Sequence, residues 1–302
     1  MGRTRMKKIE GILEQHRHWL SQSDGMVAQE LEYLEEDLAC DSLEGLGNVS
    51  DSLGILAVCH GIQGEVSICA GDISGWEEVS RAMIYRYWVL MLRAKTFSNT
   101  SFLQGIRNAP NLTNQLSNAG CLLAGFIAAD RHDLAESVAD VLVGMLTVDG
   151  AVDPGYLKER RFEPFMLWLY SVYSGGSAPA LIESMDLGIY KKVIDSWADE
   201  QRLAGVLDEV CQYHLANSED KGGAWDPEFK NPPFDLLPLE VFAIFKVRQQ
   251  CGLKSLAVAN PLLSIEVAAL ENLAFKSDDV SVRVETAYRN FFSESTDRTI
   301  GN

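Results

Sequence analysis

Lysine and arginine are missing from the 63 residues between Arg17 and Arg81, although thirteen Asp and Glu occur there. That stretch holds −13 of a formal net charge of −17. An excess of this size excludes a general nucleic-acid binder, whose surface must meet phosphates with basic side chains. It equally disfavours an anionic membrane as partner, and a basic protein is the natural complement.

Other absences narrow the field. No CxxC spacing joins the six cysteines, Cys40, Cys59, Cys69, Cys121, Cys211 and Cys251, so reduced thiols in a cytosolic protein are expected. Walker A, G-x-G-x-x-G, H-E-x-x-H, the EF-hand loop and the G-x-S-x-G nucleophile elbow are all missing. The longest apolar run, CLLAGFIAA at 121–129, is too short to span a bilayer. The opening MGRTRMKKIEGILEQHRHWL lacks the apolar h-region of a secretory signal, and Met6 breaks the myristoylation pattern after Gly2. Strand-like alternation is confined to VSVRVET at 280–286, and no fixed-period repeat is present.

Helical periodicity fills the rest, and with 47% apolar residues the chain can bury a large core. The fold class expected is all-α, a multi-helix bundle of stacked antiparallel hairpins. Two coupled halves, 1–150 and 151–302, are one arrangement, and a single domain is the other. A first helix covers 5–21. A second, capped by Ser23 or Asp24, carries Val27, Leu31, Leu34 and Leu38 on one stripe and ends before Gly45 and Gly47. Ser50 or Asp51 caps a third, in which Gly54, Gly61 and Gly64 allow close helix approach. An apolar helix through IYRYWVLML follows, then a hairpin of 111–129 and 132–147 turning at DRHD. Further helices are expected near 156–174, interrupted or started afresh by Pro164, then near 187–216, and at 236–251, 261–275 and about 279–293.

Two groups of residues invite a chemical reading. His132, Glu136 and Asp140 stand at i, i+4 and i+8, a spacing compatible with a metal or acid–base site. They also occupy the first turns of a helix, where a solvated acidic face is the ordinary arrangement, and no metal or cofactor is expected. In the late helix, Asp235 is placed to cap, while 100° spacing sets Glu240 between Val247 and Cys251 with Leu236 and Ile244 alongside. A carboxylate there needs a partner. Arg86, inside an aromatic helix, is the expected one, making Arg86 and Glu240 structural buried charges. His214 is expected to cap a helix end.

The acids of the second helix surround its apolar stripe without compensating bases, at a small cost in stability from like charges four apart. A basic protein would turn that repulsion into attraction. Glu32, Glu35, Glu36, Asp37, Asp41 and Glu44 are the candidate partner-binding residues. Trp225 and Asp226, in the irregular NSEDKGGAWDPEFKNPP, form a second candidate patch.

The C-terminal half adds a resemblance. RRFEPFMLWLYSVYSG, a helix ending DEVCQYH, an irregular loop, PPFDLLPLEVFAIFKVRQQCGL and NPLL span residues 160–263. Together they resemble helical immunity proteins of bacterial polymorphic toxin systems, the immunity protein 49 family and its neighbours. The N-terminal half departs from that pattern. The resemblance implies a non-enzymatic cytoplasmic protein that binds and neutralises a cognate toxin, and it transfers no contact residue. Many such toxins are nucleases with basic clefts, which an acidic surface would occlude. Two other functions compete: an α-helical adaptor or scaffold for another basic protein, and a helical enzyme with a dispersed site around Glu240, Arg86 and His60.

Overall fold

The computed structural model describes residues 2–40, 42–98, 111–220, 222–223, 225–254, 256–264, 270, 273 and 275–292. It is 72% helical, with twelve α-helices and no strand among the described residues. The hairpin α3 (Leu43–Cys69) and α4 (Gly75–Ser98) forms one wall. α1 (Gly2–Gln22) and α2 (Met26–Leu38) pack on α3. α5 (Leu116–Ala128) has all thirteen residues buried and lies at the centre, touching α4, α6 (His132–Thr147), α8 (Phe162–Ser174) and α11 (Leu239–Gln250). The short α7 (Pro154–Lys158) precedes α8, and α9 (Ile189–Asp195) packs on α10 (Glu200–Ala216). α12 (Asp279–Phe292) lies against α4, α2 and α3, so VSVRVET is helical.

A helix apolar on every side has to be enclosed by others, and α5 is the example. Buried apolar residues form one contiguous cluster from Leu34 to Phe292, running across residue 150 without a break. Ile12, Leu13 and Leu236 make a small separate cluster beneath α1. α3 is long and apolar enough by length and composition to cross a membrane, and here it packs against α1, α2, α4 and α12.

Several boundaries differ from the sequence expectation, each for a local reason. α3 begins at Leu43, not near residue 50, because the Ser42 hydroxyl accepts the Gly45 N–H at 3.0 Å and caps the helix there. Gly45 therefore lies inside α3, where a Cβ would stand 2.7 Å from the Asp37 carbonyl oxygen at the end of α2. Gly61 and Gly64 do permit close approach: a Cβ would meet Pro232 at 2.7 Å in the first case and Val79 at 2.7 Å in the second. Gly54 has open space instead. Neither Ser23 nor Asp24 caps α2; Gly25, at φ 82°, takes that position. The 187–216 helix is two, because Asp199 accepts the Arg202 N–H and starts α10 afresh. Of the helix expected at 261–275, Pro261–Leu263 forms a 3-10 turn and most of the remainder lies outside the described residues.

Asp235 does not cap α11, which starts four residues later behind Pro238. The Pro232 turn seats on Gly61 of α3, and the Leu236 N–H donates to Glu65 at 3.0 Å. These tertiary partners hold residues 231–238 out of the helix.

Candidate functional site

The stripe Val27–Leu31–Leu34–Leu38 turns inward on α2, with Leu34 fully buried. The opposite side therefore presents Gln29, Glu32, Tyr33 and Glu36, at i, i+3, i+4 and i+7. Glu32 and Glu36 are exposed, as is Glu44 in the first turn of α3. No ion pair reaches these three among the described residues. Tyr33 is 46% exposed, and its hydroxyl accepts from Gln29 Nε2 at 2.7 Å. It was absent from the candidates, although its place opposite the apolar stripe is readable from spacing.

The rest of the acidic stretch is partly offset from elsewhere in the chain. Glu35 pairs with Arg283 of α12, and Asp51 with Arg93 of α4. Glu78 accepts from Arg81 at 3.1 Å and contacts His60 at 2.6 Å, and these contacts, the His60 hydrogen bond foremost, lower its carboxyl below the ordinary value. Asp37 accepts from Asn48 at 3.0 Å. Asp41 lies outside the described residues. Of the candidate acids, Glu32, Glu36 and Glu44 are thus left without a base, and Glu32 and Glu36 flank Tyr33 on α2.

Trp225 and Asp226 are held by different elements. Trp225 is half-buried, edge-on to Tyr156 at 5.3 Å. Asp226 pairs with Lys230, and its carbonyl accepts from Arg160 at 2.8 Å. Both line a cleft of about 230 Å³ that Arg160, Tyr213 and Glu228 also border. Behind it, Ser117 donates to Glu163 at 3.0 Å, the Arg161 N–H donates to Glu228, and Arg160 lies 3.7 Å over the Tyr156 ring. Burial, and then repulsion from Glu228, push Glu163 up to about 8. Burial also raises Glu228.

Arg86 and Glu240 are both buried, at 7% and 1% exposure, but they do not pair. Glu240 meets His214 Nδ1 at 2.9 Å, and His214 stacks on Phe229 with centroids 4.2 Å apart. His214 is therefore a core residue, not an exposed cap. The reason is its position: Leu203, Leu207, Val210, Cys211 and His214 share one helical stripe that faces the core. Arg86 donates through Nε and Nη2 to the Pro232 carbonyl and lies over the Phe234 ring, while burial brings its guanidinium down to about 10. Glu240, Arg86 and His60 thus have three different partners and are not drawn into one site.

His132 stacks on Tyr173 at 4.3 Å and contacts Asp130 at 3.5 Å. His132 is largely exposed, in keeping with a solvated helix start. All six cysteines are free; Cys40 and Cys251 are exposed and Cys59, Cys121 and Cys211 buried.

A scan against protein-family models matches no family, and searches of curated proteins and of solved structures find no match to this chain.

Proposed function

We propose that the chain is a non-enzymatic immunity-type inhibitor that neutralises a basic protein toxin by presenting the outer face of α2. The observation that carries this reading is the exposed group Glu32, Tyr33, Glu36 and Glu44, unpaired with bases in a stretch that has none of its own. An aromatic residue flanked by carboxylates on one helix face suits a basic cleft. The tyrosine supplies buried contact area, and the acids steer the encounter and replace phosphate at the cleft. The resemblance of residues 160–263 to helical immunity proteins gives the partner its class.

The test is purification of the tagged chain from its native cells, followed by co-expression of whatever basic protein accompanies it in stoichiometric amount. Relief of that protein's toxicity supports the reading. A partner that is harmless when expressed alone supports an α-helical adaptor instead. One observation favours an enzyme, namely the Glu163–Glu228 carboxyl pair behind the Trp225 cleft. There, a Glu163→Gln variant that folds normally yet loses a turnover would replace the inhibitor reading.

A further inference from the structure

Three buried side chains that the α2 surface does not use converge where α1, α3 and the turn before α11 meet. His16 comes from α1, Glu65 from α3 and Asp235 from the turn, at 7%, 0% and 3% exposure. His16 Nε2 lies 2.9 Å from Asp235 Oδ2, and its Nδ1 lies 3.4 Å from Glu65 Oε2. One donor atom from each residue falls within 4.8 Å of the other two. His16 Nδ1, Glu65 Oε2 and Asp235 Oδ1 are all buried without a hydrogen-bond partner.

Such an arrangement is costly as it stands. Each orphaned buried polar atom keeps its desolvation penalty uncompensated, and two carboxylates brought together away from water repel one another. Arg86 lies close enough to interact with both acids, but its guanidinium donates to the Pro232 carbonyl. A cation held by His16 Nε2 and both carboxylates would offset the repulsion and engage the acid oxygens, while His16 Nδ1 would turn its proton toward Glu65 Oε2.

We infer that His16, Glu65 and Asp235 form a binding site for one divalent transition-metal ion, Zn²⁺ or Mn²⁺. One imidazole and two carboxylates suit these ions, whereas Ca²⁺ takes six to eight oxygens and Mg²⁺ prefers water and carboxylate. Bonds of about 2.0–2.2 Å set neighbouring ligand atoms roughly 3–3.5 Å apart, a spacing that the His16–Asp235 pair already meets and that Glu65 reaches by a small side-chain adjustment. His16 and Asp235 border a cavity of about 360 Å³, together with Ser218 and Lys230, from which water completes the coordination.

The ion acts as a staple for α1. Its other attachments include the small Ile12–Leu13–Leu236 cluster, Ile9 against the main core, Lys8 donating to the Leu215 carbonyl, and the pairs Arg5 with Asp208 at 2.6 Å and Lys8 with Glu219 at 3.0 Å. Metal bonds from three separate segments convert binding energy into folding energy.

The test uses the full chain, stripped with EDTA and then exposed to Zn²⁺ or Mn²⁺ alone. The expected result is one equivalent retained through gel filtration, a raised melting temperature and slower proteolytic cleavage within α1. Asp235→Asn and Glu65→Gln are expected to weaken binding by about 100-fold or more, while His18→Ala, on the exposed side of α1, leaves it unchanged. Stripped wild-type protein that takes up neither ion, with α1 cleaved at the same rate throughout, overturns the site. So does metal uptake that is undiminished in folded Asp235→Asn protein, which would place the ion elsewhere.

Discussion

Replacing His214 with Phe tests the interior most sharply. The new ring keeps the stacking on Phe229, so little packing is lost, but Glu240 is left as a carboxylate at 1% exposure with its 2.9 Å partner gone. Removing one member of a buried pair in this way costs about 3–5 kcal/mol. At roughly 2–4 °C per kcal/mol for a chain of this size, the melting temperature should fall by about 6–20 °C. Glu240→Met instead leaves His214 Nδ1 without its partner, and about 1–3 kcal/mol is expected. The double variant His214→Phe with Glu240→Met removes both polar groups and should return to within about 1 kcal/mol of wild type. Urea denaturation of all four proteins gives the coupling directly. If the two single losses simply add in the double variant, the pair is not what holds α10 to α11, and the account of this interface fails.

Other consequences follow from single positions. Glu163 is pushed up to about 8 from an ordinary 4.5, so between those values the folded chain keeps a proton that the unfolded chain has released. Stability attributable to this group therefore falls as pH rises from about 4.5 to 8, by up to about 1.4 kcal/mol per pH unit. Glu163→Gln should flatten that slope, as read from denaturation midpoints at pH 5, 6.5 and 8; an unchanged slope would assign the proton elsewhere. Gly64→Ala drives a Cβ to 2.7 Å from Val79 and 2.8 Å from the Gly75 carbonyl oxygen, and should cost about 1–3 kcal/mol by overpacking. Gly54→Ala, with open space around it, should instead stabilise α3 by about 0.5–1 kcal/mol. Equal thermal shifts in the two alanine variants would contradict the assigned α3–α4 contact.

Helix positions were readable from periodicity because most stripes here face a core: Leu34 is fully buried as its spacing requires, and the α5–α6 hairpin turns at Asp130 as DRHD suggests. What spacing could not supply was the identity of partners. Glu240 was recognisable as a buried acid, but Arg86 and His214 were both available, and only the approach of α10 to α11 selects His214. His16, Glu65 and His214 share a signal that could have been used. Each occupies an apolar stripe, after Ile12 and Leu13, between Ile62 and Ile68, and after Val210 and Cys211, respectively. A polar residue in such a register is held by something across the core. Asp235 illustrates the opposite problem, since its local cue as a cap is sound and is overridden by tertiary contacts with Gly61 and Glu65. The charge of the acidic stretch was equally legible, yet its distribution was not. Arg283 and Arg93 come from far along the chain to neutralise Glu35 and Asp51, while Glu78 is met by Arg81 one turn on in its own helix.

The central claim is that α2 meets a basic partner through Glu32, Tyr33 and Glu36. The most direct measurement is the association rate of the chain with its co-purifying basic protein, for wild type and for Glu32→Lys with Glu36→Lys, between low and high salt. The expected result is a rate that falls steeply with salt in wild type and is at least about tenfold slower at low salt in the variant. Identical rates and identical salt dependence in the two proteins would contradict the claim and remove α2 from the interface.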